Sequence, residues 1–258
     1  MEHEMPEKIN LKEQAELFLQ WFLGQLVILP LGFAVMAYLA YGLKYRIRDL
    51  KHLREQYREM IRSKQPILIA SNHLTMIDSI VLHMAFNSVI GYFFNYRSLS
   101  WNMPAREVFG TNWRWKYLTY LGKSIPVDRN GSKEHHDKVL RKTMFLLNKG
   151  EPFTIFPEGG RTRTGKIDIQ NVRYGIGSII SNLDTDCPVL CVYMRGDGQK
   201  HYSNFPKKGE IFYIKSDLIH PKTDATGIRA HRDLTMQVVN RLEDMEKEYF
   251  EKHNPSGE

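Results

Sequence analysis

Residues 67–78 read Ile67-Leu68-Ile69-Ala70-Ser71-Asn72-His73-Leu74-Thr75-Met76-Ile77-Asp78. The apolar run 67–70 has the length of a buried strand. Ser71 and Asn72 break it, His73 follows at once, and Asp78 opens a second apolar run, 80–86, that reads as helical. A base candidate therefore stands at a strand's end, where α/β folds keep their chemistry. The carboxylate of Asp78 is spaced to fold back and hold the imidazole of His73. An Asp that accepts one ring N–H fixes the tautomer, and the other nitrogen can then take a proton from a hydroxyl.

The pair has company. Residues 153–156 form another apolar run that leads into Phe156-Pro157-Glu158-Gly159-Gly160-Arg161-Thr162-Arg163-Thr164-Gly165. Between the two stretches lies Ser124-Ile125-Pro126-Val127-Asp128-Arg129. Guanidinium groups at Arg129 and Arg161 suit bidentate recognition of a phosphate, and Gly159 and Gly160 let the backbone approach a ligand closely. Asn-His-x-x-x-x-Asp, then Asp-Arg after an apolar run, then Phe-Pro-Glu-Gly-x-Arg, in that order, resembles the glycerolipid acyltransferase family, best known from the 1-acyl-sn-glycerol-3-phosphate acyltransferases. The resemblance covers about residues 66–214. It implies a His73 general base oriented by Asp78, with the substrate's own hydroxyl in the place of a catalytic serine. It also implies that Arg129 and Arg161 hold the acceptor's phosphate, and it matches Glu158 and Gly159 to the family's Glu-Gly pair. Acyl-CoA or acyl-carrier protein would be the donor, a lysophospholipid the acceptor, and no cofactor or metal is implied.

The whole chain fits one sizeable domain. It has 258 residues, 42% of them apolar and 25% charged, which describes a globular chain with a core. A net charge of +7 points to an anionic partner such as phospholipid headgroups or phosphorylated substrates. No zinc-finger spacing or RNA-binding aromatic signature accompanies the charge, so nucleic acid is not expected. Cys187 and Cys191 lack His or Cys companions for a metal site and read as reduced residues at a strand, in keeping with a cytosolic compartment.

Five segments follow from composition: a polar segment 1–16, a membrane segment 17–45, a basic amphipathic helix 46–64, the catalytic domain 65–251 and a frayed tail 252–258. Residues 21–43 contain no charge and are long enough to cross a hydrocarbon core. Pro30 and Gly32 in their middle allow either one kinked span or a re-entrant hairpin, 17–29 in and 31–43 out. Basic residues Arg48, Lys51, Arg54, Arg58 and Arg62 then crowd a helix whose Ile47, Leu50, Leu53, Tyr57 and Ile61 recur at helical spacing. This reads as a helix on an anionic leaflet, on the domain, or both, and it places the domain on the cytoplasmic face, the inner membrane in a bacterium.

Further along, 89–96 reads as a strand, and 105–121 carries Phe109, Trp113, Trp115, Tyr117 and Tyr120 at helical spacing, either for core packing or as a lipid-facing or tunnel-lining stripe. Residues 123–127 read as a short strand, and Ser132 caps a helix to Asn148 that Gly150 stops, with His135 and His136 facing solvent. A helix over 171–183, strands over 188–194 and 210–215, and a terminal amphipathic helix over 228–250 complete an α/β domain with a mixed sheet flanked by helices.

Two further resemblances fail on single residues. Gly160–Lys166 spells a phosphate-binding G-x-x-x-x-G-K, but Ile167 stands where a magnesium-binding hydroxyl is needed. His73 and Asp78 have no third ligand at a spacing that a catalytic zinc would use. Within the family, Gly160 stands where the phosphatidate-forming branch often has Thr, and Gly-Gly-Arg followed by Thr162 and Arg163 is similar to the glycerol-3-phosphate branch. The acceptor read from the sequence is therefore lysophosphatidate, with glycerol 3-phosphate, another lysophospholipid or a lyso-aminolipid as alternatives. A non-catalytic lipid-binding protein and a metal-dependent hydrolase are the alternatives from other classes.

Overall fold

The computed structural model describes residues 9–110, 112–161, 164–183, 185–201 and 203–253. The chain opens with α1, Leu11–Ala37, which continues as a short π-helical stretch, Tyr38–Gly42. Asn10 starts it through a capping box, its side chain accepting from Glu13 N at 2.9 Å while Glu13 accepts from Asn10 N at 3.2 Å. The helix is continuous through Pro30, without the turn that the hairpin reading of 17–43 needs. Segment 46–64 also divides: Arg46–Ile47 is a strand, β1, and the basic helix α2 spans Leu50–Ser63. Then come β2 (Leu68–Ser71), α3 (Asp78–Phe86), α4 (Val89–Phe94), β3 (Trp101–Asn102), α5 (Arg106–Phe109) and α6 (Trp113–Leu121). The second half holds α7 (Lys133–Asn148), β4 (Phe153–Ile155), α8 (Gly175–Ser181), β5 (Val189–Gly196), β6 (Ile211–Ile219) and α9 (Gly227–His253). The proposed tail begins inside α9, and 254–258 lie outside the described residues, as do 1–8 of the polar segment.

The six strands form one mixed sheet in the order β1-β6-β5-β2-β4-β3, antiparallel only between β5 and β6. The central strands β2, β4 and β5 are buried along their whole length because both faces are covered. Leu68, Ala70, Val189, Cys191 and Tyr193 face one core with α7, α8 and α9 residues, whereas Ile67, Ile69, Leu190, Val192 and Met194 face the other with α2 and α3. Both cysteines are buried and reduced, and burial pushes each thiol up to about 12.

Local chemistry accounts for the departures from the sequence reading. Val-Ile-Gly-Tyr-Phe-Phe at 89–94 is helical, not a strand, because Ser88 Oγ accepts from Gly91 N at 3.0 Å and closes a helical turn. Segment 123–127 makes only isolated bridges, Asn102 to Ser124 and Ala105 to Val127, and Pro126 in its middle has no N–H for a ladder. Its first residue, Lys123, is fully buried and donates to the carbonyls of Leu99 and Tyr96 and to Glu151. The helix expected over 171–183 begins only at Gly175, since Arg173 N donates to Pro157 O at 3.0 Å and so belongs to the preceding loop. The aromatic stripe of α6 is not core: Trp113, Trp115, Tyr117 and Leu118 are exposed.

α1 docks along most of its length. Glu13, Leu17, Gln20, Gly24 and, past its end, Leu39 are buried on one stripe. Gln20 Nε2 donates to Tyr120 O at 2.9 Å and Ser124 O at 2.8 Å. A Cβ at Gly24 would lie 2.0 Å from Tyr96 Oη, and one at Gly32 would lie 2.9 Å from Val89 Cγ1, so both glycines let α1 approach its neighbours. The outer face, with Phe18, Leu19, Phe22, Leu26, Phe33, Tyr38 and Tyr41, is exposed. By length and composition Leu11–Gly42 is apolar enough to cross a membrane.

Candidate active site

β2 and β4 are parallel neighbours, with Ala70 opposite Ile155. Their C-terminal ends therefore release His73 and Glu158 side by side. Asn72, read from the sequence only as a strand breaker, anchors this exit: its carboxamide donates to Met194 O at 2.9 Å and accepts from Met194 N at 2.8 Å. It thus carries the β2–β5 pairing one residue past Ser71.

The loop 73–78 closes around one carboxylate. Asp78 is 1% exposed. Its Oδ2 accepts from His73 Nδ1 at 2.9 Å, Leu74 N at 2.6 Å and Thr75 N at 2.8 Å, and its Oδ1 accepts from the Thr75 hydroxyl. With Nδ1 donating to Asp78, the imidazole's lone pair is on Nε2. The His73 side chain keeps 20% exposure and its ring stacks on Phe156 at 4.3 Å. Ser71 is fully buried, and its hydroxyl donates to Asn72 O at 3.3 Å.

Glu158 reaches back across the strand ends. Its Oε1 accepts from His73 N at 2.8 Å, and its Oε2 is buried without a partner among the described residues. Burial pushes the carboxyl up to about 8, with Glu246, Asp78 and Asp168 adding to the shift and the His73 N–H opposing it. Near neutral pH Glu158 is thus largely protonated.

The two glycines after Glu158 differ. Gly159 has φ +63°, and a Cβ there would lie 2.5 Å from Arg173 Cγ. Only glycine fits that position without strain. Gly160 has an ordinary φ, and a Cβ there would meet the Arg129 guanidinium at 3.8–3.9 Å, a normal contact. Arg129 is thereby brought to the Phe-Pro-Glu-Gly loop, with its Nε 3.7 Å from Glu107 Oε1. Arg161 Nη1 donates to Asn204 Oδ1 at 2.7 Å. Segment 203–204 in turn pairs with the His73 loop, Ser203 N to Leu74 O at 3.2 Å and Met76 N to Asn204 O at 3.1 Å. The structure thus gathers His73, Asp78, Glu158 and Gly159 directly, Arg129 through Gly160, and Arg161 through Asn204.

A family model described as Acyltransferase matches residues 52–195. The chain belongs to the glycerolipid acyltransferase family. No curated protein matches it. The matched span of the acyltransferase runs from within α2 to β5 and includes every site residue named above except Ser203, Asn204 and Glu246, while α1, β6 and α9 lie outside it.

Sequence reasoning missed Thr75, Arg173 and Asn204. Thr75 left a local signal, a hydroxyl inside the His73–Asp78 loop. Arg173 and Asn204 left none, because they reach the site through long-range pairing of loops. His136 is exposed as expected and His135 is half-buried, and both turn onto the backbone of Asp128.

Proposed function

We propose that this acyltransferase moves a fatty acyl group from acyl-CoA or acyl-carrier protein to the free hydroxyl of lysophosphatidate, giving phosphatidate. His73 Nε2 takes the hydroxyl proton as the oxygen attacks the thioester carbonyl, the C–S bond then breaks and the donor's sulfur leaves as the thiol with the proton from the imidazolium, and Asp78 holds the ring in the required tautomer. Attack is direct, with the substrate oxygen in place of an enzyme nucleophile. The observation that carries this reading is the buried Asp78 carboxylate at 2.9 Å from Nδ1 of a partly exposed His73. Arg129 and Arg161 hold the acceptor's phosphate, and the open space at Gly160 is compatible with a small residue in either branch of the family.

The acyltransferase works at a membrane, with the site on the cytoplasmic face, and α1 lies in the interface plane instead of crossing it. Its buried stripe spans positions 13–39, or about 40 Å of helix at 1.5 Å per residue. A helix fastened to the domain over that length cannot thread a bilayer without dragging polar loops into it. The exposed aromatics of α1, together with Ile90, Phe93 and Phe94 of α4 and Trp113 and Tyr117 of α6, suit the headgroup boundary.

An acceptor panel tests the reaction. Purified protein in lipid would receive labelled palmitoyl-CoA or acyl-carrier protein with lysophosphatidate, glycerol 3-phosphate, lysophospholipids lacking a terminal phosphate, or a lyso-aminolipid. Transfer to lysophosphatidate, with KM for that acceptor raised about tenfold or more in Arg161→Ala, supports the assignment. Transfer only to another acceptor replaces lysophosphatidate and keeps the mechanism; transfer to none moves the reading to a lipid-binding protein.

A further inference from the structure

Ser132 caps α7 by accepting from His135 N at 3.2 Å, which puts both histidines in the first turn, beside the 128–131 turn. Asp128 N donates to His135 Nε2 at 2.9 Å. His136 Nε2 donates to Asp128 O at 2.8 Å. Both backbone groups of Asp128 are therefore held by imidazoles, while its own carboxylate accepts from Asn130 N at 3.1 Å. A Cβ at Gly131 would lie 2.8 Å from His135 Cδ2 and 3.0 Å from Asp128 O, so the glycine lets the ring close on the turn. The other side of the segment is tied to 104–106: Val127 N donates to Pro104 O at 2.9 Å, and Arg106 N donates to Val127 O at 2.8 Å. Arg129, whose guanidinium lies against Gly160, is the next residue.

We propose that His135 and His136 are positioning residues for Arg129, fixing the peptide groups of Asp128 so that the guanidinium meets the acceptor's phosphate, and that His135 makes this hold sensitive to pH. The inference rests on the acyl-transfer reading of the site. His135 Nε2 accepts only while the ring is neutral, with its proton on Nδ1; a proton on Nε2 sets N–H against N–H and opens the hold. His136 donates whether neutral or charged. The charged and titratable groups facing His135 are Arg106 from α5, Asp128 from the turn, and His136 and Lys138 from α7. Burial, then Arg106, keeps the His135 ring below the usual 6.5, so the hold is closed at neutral pH and opens in acid.

The test measures KM and kcat for lysophosphatidate between about pH 5 and 8, in the wild type, His135→Ala and His135→Gln. The Gln amide oxygen reaches the place of Nε2 and accepts without titrating. His135→Ala raises KM about tenfold at neutral pH, as expected for one lost positioning hydrogen bond, with kcat within about twofold, and His135→Gln restores KM. The KM of the wild type rises more steeply in acid than that of His135→Gln. The acceptor phosphate's own ionisation near pH 6 acts equally in both, and thermal melting shows which variants fold. If His135→Ala does not fold, the wild-type and Gln profiles carry the test. An unchanged KM in a folded His135→Ala, or identical acid profiles in wild type and His135→Gln, overturns the positioning role while transfer persists. A wild type that transfers to no acceptor overturns the underlying reading and this inference with it.

Discussion

Asp78 takes hydrogen bonds from His73, Leu74 and Thr75, all within five residues of it. That closeness is why the His73–Asp78 pair was legible in the sequence: the loop needs no distant strand to bring base and carboxylate together. Glu158 is the opposite case. It reaches His73 N only because β2 and β4 pair across 85 residues, so the motif resemblance pointed to it and spacing could not. Its carboxyl, pushed by burial from the usual 4.5 to about 8, ties stability to pH. The raised folded value means that the native state keeps a proton the unfolded chain has lost, so the contribution of Glu158 to stability is greatest below about pH 4.5 and is lost as pH rises through 8. Glu158→Gln removes that dependence. The melting temperature of the variant should exceed that of the wild type above pH 8, and the gap should narrow toward pH 4.5, as thermal scans across that range would register; parallel curves would place the titration elsewhere.

Elements with a strong periodic or apolar pattern were read correctly, whereas α4 and segment 123–127, whose residue types favour another state, were not. α7 announced itself through Ser132 and Gly150, and the apolar runs of β2, β4 and β5 through their length. α4 carries β-formers, yet the Ser88 cap and the approach of α1 at Gly32 make it helical, a case of context overriding propensity. The Phe-Pro-Glu-Gly loop shows the same division. Gly159 is required by its φ of +63° and by Arg173 lying over it, whereas Gly160 has no such constraint. Gly159→Ala should destabilise the loop by about 1–2 kcal/mol from the backbone alone and lower turnover, whereas Gly160→Ala should melt and turn over like the wild type. Melting curves and kcat for the two variants would check this, and equal damage at both positions would remove the distinction.

For the whole molecule, the sheet order and the two cores explain why His73, Glu158 and the arginine loops converge at the C-terminal ends of the parallel strands inside a mixed sheet. Leu11–Gly42 was legible as apolar, but its docking on the domain was not, because Gly24, Gly32 and Gln20 meet their partners only in the folded chain. In-plane attachment predicts that Phe93→Asp with Phe94→Asp weakens flotation with anionic vesicles without unfolding the domain, since both rings are exposed. Unchanged flotation would leave attachment to α1 alone.

The central claim is that His73 is the base for acyl transfer, and His73→Ala tests it most directly. Labelled acyl transfer to lysophosphatidate would be followed in wild type and variant shown to fold and to bind vesicles alike. Loss of about 10³-fold in kcat, with melting and vesicle binding retained, is the predicted result. Turnover within a few-fold of wild type in the folded variant would contradict it.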